Sequence, residues 1–147
     1  MNDAATLSKL PVVPAPHADL RTAPASEFLK LLGLRIVEWA HGRCVVEIPI
    51  VGQLTNVTGS VSGAVVAAAV DMAAGLSGCW SPPDEPLRRV VTLSFTVAFM
   101  ASSSEGVVRA TAIKQGGGSN IFTSTVTVTS SNDDVLAVGQ GTFRYIK

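Results

Sequence analysis

Asp71 is the one formally charged residue between Ile48 and Pro83. An unpaired carboxylate in a dry site is costly, so a charge kept in such a stretch calls for a partner or a task. If the stretch is a helix, its neighbours at three and four residues are Ala67, Ala68, Ala74 and Gly75, none of which can pair with it. Asp71 therefore reads as a candidate general base that meets another strand, another subunit or a ligand. The plainer alternative is an Asp hydrogen-bonded to a Ser or Thr of a sheet for structure alone. Asn56, Gly59, Ser62 and Gly63 lie just upstream. Ser62 reads as the N-cap of the same helix. Gly63 at the helix start offers a backbone N–H, at the positive end of the helix dipole, to a carbonyl oxygen that gains negative charge during acyl transfer. Asn56 reads equally as a site residue or as a turn residue.

Other chemistries find little support. Cys44 and Cys79 are too far apart for a CxxC motif, and His17 and His41 pair with neither, so metal and disulfide-scaffold readings are weak. Gly116-Gly117-Gly118 lacks the GK[ST] ending of a phosphate-binding loop and reads as a hairpin or bulge. Eleven Lys plus Arg balance eleven Asp plus Glu. A neutral chain has no long-range attraction for nucleic acid or an anionic membrane. Ser62 to Trp80 approaches the length of a membrane span. The central Asp71, which costs about 2.5–3.5 kcal/mol on insertion, and the Ala and Gly content argue for a soluble helix instead. The N-terminus mixes Asp, Lys and prolines without a basic stretch and apolar run, so no signal peptide is expected and a reducing cytoplasm is the default.

The elements that must position these residues follow from pattern. The length of 147 residues suits a single domain. Charged residues make up only 15%, against about 25% in an average soluble domain, which leaves surface open to a partner subunit. Residues 1–24, punctuated by Pro11, Pro14, Pro16 and Pro24, read as a loosely ordered arm, and residues 25–147 as the domain. Ser26 and Gly33 bracket a short helix. His41-Gly42 is the expected turn between LRIVEWA and RCVVEIPI; in the latter Cys44, Val46, Ile48 and Ile50 share one face and Arg43, Val45 and Glu47 the other. Four further strands are expected over 88–100, 106–115, 119–130 and 135–146, rich in Thr and Val. The expected fold is α+β, with a long antiparallel sheet wrapped around a buried, Ala-rich helix.

The spacing Asn56, Gly59, Ser62-Gly63, Asp71 resembles the N-x-x-G-x-x-H-G-G-x(6)-D signature of the hotdog-fold acyl-CoA thioesterases of the phenylacetate-degradation, or PaaI-like, type. The resemblance runs from about Phe28 to the C-terminus. Two departures stand out: the family's His-Gly-Gly is Ser62-Gly63-Ala64 here, so the imidazole is absent and the second glycine has gained a methyl that narrows the acyl pocket.

The resemblance implies a thioester hydrolase with no metal and no cofactor apart from the CoA of its substrate. In that scheme Asp71 is nucleophile or general base, Asn56 orients the thioester or the water, Gly63 holds the oxyanion and Thr92 holds the water. The substrate would be an aromatic or medium-chain acyl-CoA, contacting Ser62, Ala64, Met100, Ala101, Lys114, Gln115 and Gly116. The site would be shared between two subunits of a homodimer or of a dimer-of-dimers homotetramer. A hydratase-type hotdog pattern, D-x-N-P-x-H, does not occur. The rival reading is a non-catalytic hotdog protein that binds acyl-CoA or serves as an oligomeric structural module, and the missing histidine is its best support.

Overall fold

The computed structural model describes residues 26–147. The expected arm at 1–24 lies outside the described residues. The described chain begins with helix α1 (Glu27–Leu32), capped by the Ser26 hydroxyl and ended by Gly33 at φ +63. Strands β1 (Arg35–Ala40) and β2 (Arg43–Pro49) follow, joined by the expected His41-Gly42 turn. A short 3-10 turn at Gly52–Leu54 leads to the long helix α2 (Gly63–Ser77), and then come β3 (Arg89–Phe99), β4 (Val107–Gly117), β5 (Ile121–Thr129) and β6 (Val135–Ile146).

All six strands form one antiparallel sheet in the order β1-β2-β4-β5-β6-β3. The helix packs on one face of it. Alternation along the strands supplies that face: Cys44, Val46 and Ile48 from β2, Val108, Ala110 and Ala112 from β4, and Phe122, Val126 and Val128 from β5 are buried. Against them the helix presents Val66, Ala69, Val70, Ala73 and Ala74. Burying one such valine completely is worth about 1.5–3 kcal/mol, so this layer carries much of the stability. The small residues permit close approach. A Cβ on Gly139 of β6 would stand 2.7 Å from Val70 Cγ1, nearer than two carbons can sit, so Val70 occupies a notch that only glycine leaves open.

The glycine triplet is both bulge and hairpin. The β4–β5 register slips between Lys114 and Gly116, and Gly117 turns at φ +130 with no room for a side chain beside the Ile121 carbonyl.

The second face of β2 is covered as well: Val45 and Glu47 are buried, Glu47 with 6% exposure. Arg35 from β1 and Arg109 from β4 close over the Glu47 carboxylate at 2.6 and 2.7 Å. The sheet packs around the helix as expected, and on the helix's other side Ala64 is exposed and Ala67, Ala68, Asp71 and Met72 are half-buried.

Candidate active site

Helix α2 begins as its sequence requires. The Ser62 hydroxyl accepts from the Ala64 N–H at 3.3 Å, and the Ser62 carbonyl accepts from the Val65 and Val66 N–H groups. Gly63 occupies the first helical position, and no partner for its N–H is seen among the described residues. Its Cα lies under the ring of Phe99, which a Cβ on Gly63 would meet at 3.4 Å. The ring thus borders the donor.

Eight residues along the helix, on the strip the sheet leaves uncovered, Asp71 accepts a hydrogen bond from Thr92 Oγ1 at 2.8 Å. A bond to a sheet threonine is what the plainer, structural reading of Asp71 also expects, so the pair is common to both readings. Thr92 is on β3 just before a bulge at Thr92/Ser94, with its side chain on the helix face of the sheet, and is exposed. Asp71 is half-buried rather than buried, because nothing among the described residues covers this strip. One carboxylate oxygen is held by the threonine, and among the described residues no hydrogen-bond partner of the other is seen.

Asn56 sits in an exposed loop closed by its own hydrogen bonds. Its Oδ1 accepts from Thr58 N at 2.9 Å, Thr58 Oγ1 at 2.7 Å and Ser60 N at 3.2 Å. Asn56 is thus a turn residue, with a free amide edge besides. Sequence reasoning passed over Thr58, although an Asn followed two residues later by Thr is the signal of such a turn.

The remaining predicted contacts fall at opposite ends of the sheet. Met100 and Ala101 follow β3 at the end where Ser62, Gly63 and Ala64 begin the helix, and Val61 N–H donates to Ser103 O there. A groove of about 560 Å³ opens at this end, lined by Ser60, Ser102, Ser103, Ser131 and Leu136. Lys114, Gln115 and Gly116 belong to the other end, where Lys114 Nζ donates to Tyr145 Oη at 3.1 Å and Tyr145 Oη donates to the Gly78 carbonyl beyond the helix C-terminus. Gln115 Nε2 donates to Thr125 Oγ1 at 2.8 Å. A second groove, of about 450 Å³, opens there beside His41 and Ile113. Neither groove includes Asp71.

The same division separates the catalytic candidates. Gly63 and Asp71 are about 12 Å apart along the axis, at about 1.5 Å per residue. Helix N–H groups point toward the N-terminus, so an oxygen bound at Gly63 lies farther still from Asp71. One chain does not place both groups on one thioester.

The two cysteines are not alternative nucleophiles. Both are free and buried, and burial pushes the Cys79 thiol up to about 11 and the Cys44 thiol higher. Among the described residues no three His, Cys, Asp or Glu side chains gather as metal ligands would, and no helix is long and apolar enough to cross a membrane.

A single antiparallel sheet curled on one long helix is the hotdog fold. No protein-family model matches the chain, and no curated protein matches it in sequence. Solved structures do. Conserved protein PA5202 of Pseudomonas aeruginosa is 28% identical, covering 83% of this chain and 95% of its own, with a TM-score of 0.74. A variant of the phenylacetic acid degradation protein PaaI of Thermus thermophilus is 25% identical over 81% of this chain and 98% of its own, with a TM-score of 0.69. Thioesterase HI1161 of Haemophilus influenzae, at 19% identity, shares the fold over 84% of this chain and 85% of its own, with a TM-score of 0.75. The chain is thus a hotdog protein similar to the PaaI-like thioesterases.

Proposed function

We propose that the protein is an acyl-CoA thioesterase, hydrolysing an aromatic or medium-chain acyl-CoA to the free acid and CoA, at sites shared by two copies of the chain. The observation that carries this reading is the Asp71–Thr92 pair on a face that the described residues leave open, about 12 Å along the helix from the Gly63 N–H, for which no partner is seen among them. An antiparallel second copy, its helix beside the first, brings Gly63 and Asn56 of one chain to Asp71 and Thr92 of the other. It also brings the Met100 end of one sheet toward the Lys114 end of its partner, so that Ser62, Ala64, Met100, Ala101, Lys114, Gln115 and Gly116 border one substrate channel.

In this assembly the thioester oxygen accepts from the Gly63 N–H, which stabilises the negative charge formed when the carbonyl carbon is attacked. A water held by Asp71 and Thr92 loses a proton to Asp71 as its oxygen bonds to that carbon. The tetrahedral intermediate then expels the thiolate of CoA, which takes up a proton, so one water is consumed for each acid and thiol formed. Direct attack by Asp71 gives an acyl anhydride and, after hydrolysis, the same products. Neither route requires a metal or a bound cofactor.

The test is thiol release from a panel of acyl-CoAs. Wild type is expected to turn over at least one, and Asp71→Asn to lose about 10²- to 10⁴-fold, the usual range for a general base. Binding without release by the wild type would instead establish the non-catalytic reading. That reading draws on the Ser62 hydroxyl, which is committed to the helix cap and leaves nothing in place of the family's imidazole.

A further inference from the structure

Two of the three donors to Asn56 Oδ1 are backbone N–H groups, of Thr58 and Ser60, and of the two ends of the amide only the oxygen can accept from them. The orientation of the amide is therefore dictated by its surroundings. With the Thr58 hydroxyl as the third donor, at 2.7 Å, the oxygen is saturated and turned into the loop. Nδ2 faces outward, and among the described residues no acceptor for it is seen. Asn56 in this state can donate and cannot accept. It can bind a carbonyl or carboxylate oxygen; it cannot draw a proton from water.

We propose that Thr58 is a positioning residue for the thioester reaction: its hydroxyl locks the Asn56 amide with Nδ2 outward, so that Asn56 is a second hydrogen-bond donor to the substrate carbonyl beside Gly63. The proposal rests on the thioesterase reading for its catalytic consequence, though the lock itself does not. Thr58 is exposed, and its substitution removes no core contact. Its backbone N–H continues to bond Asn56 in any variant, so the loop retains two of its three ties. The hydroxyl supplies the remaining one and shuts the rotamer in which Oδ1 would swing out.

The test is a double-mutant cycle. Thr58→Val is expected to lower kcat about three- to tenfold with KM little changed, Thr58→Ser to restore it, and Thr58→Val to have no further effect in an Asn56→Ala background. Full activity of Thr58→Val, or an equal loss in the Asn56→Ala background, overturns the proposal. A second measurement separates its failure from that of the thioesterase reading: ¹⁵N relaxation of the Asn56 side-chain amide. A rigid NH₂ group in the wild type that loosens in Thr58→Val and tightens again in Thr58→Ser upholds the lock even if no thioester is hydrolysed. An amide already mobile in the wild type overturns it whatever the activity.

Discussion

The two edges of the sheet are built to opposite ends. Strand β1 is six residues long, carries Arg35 and Glu38, and loses register with β2 at a bulge between Ile36 and Glu38. Short, charged and bulged, it has the features that stop a sheet from growing. Strand β3 is eleven residues long and, after Arg89, carries no charge. Among the described residues it pairs only with β6, and Leu93, Phe95, Phe99 and Met100 beside its other edge are 51%, 41%, 57% and 65% exposed. A long apolar free edge is a hazard in a monomer and a template for a second copy. Asp71 and Thr92 lie on the β3 side. The contrast teaches that, on the shared-site reading proposed above, the open edge and the incomplete site are one feature, which a second copy of the chain would finish.

The largest effect is expected where the open edge is spoiled. Phe95→Lys should reduce the assembly to a monomer near 15 kDa and abolish turnover, whereas Val37→Lys on β1 should leave both intact; sedimentation and thiol release read the two variants side by side. A Phe95→Lys protein that stays oligomeric and active would put the shared site elsewhere.

Next comes the closed edge. Glu47→Gln removes the charge that joins β1 to β2 and β4 through Arg35 and Arg109, and unfolding in urea should show a loss of about 1.5–3 kcal/mol, with the oligomer unchanged. Dissociation of the oligomer in that variant would mean that β1 too belongs to the interface.

The smallest effect is expected inside the site. Thr92→Val deletes the donor to Asp71 and leaves the carboxylate in place, so kcat should fall about tenfold with the assembly intact, much less than for Asp71→Asn. Equal losses in the two variants would make the pair a single structural unit rather than a base and its support.

Local features were legible in the sequence because local chemistry determines them. Ser26 and Gly33 bracket a helix, His41-Gly42 turns a hairpin and Ser62 caps α2, each through contacts within four residues. The motif from Asn56 to Asp71 was read through resemblance, as was Thr92, and the structure adds that Thr92 donates directly to Asp71. What escaped depends on distant chain. Glu47 alternates like a surface residue, yet Arg109, sixty-two positions away, covers it. The half-exposure of Asp71 follows from a helix with one uncovered side, which an apolar run does not reveal. The separation of Met100 from Lys114 follows from strand order, and the residue list of a binding site is silent on that.

Val70 and Gly139 have a consequence for alignment. Val70 immediately precedes Asp71, and its methyl group rests in the gap left by the missing side chain of Gly139. The helix is thereby keyed to the sheet as a pin is keyed to a slot, and it cannot slide along its axis without lifting out. A glycine on β6 with no chemistry of its own thus sets the axial coordinate of the carboxylate. On the shared-site reading, the tolerance with which Asp71 would meet a group of a second copy is thus fixed within its own fold.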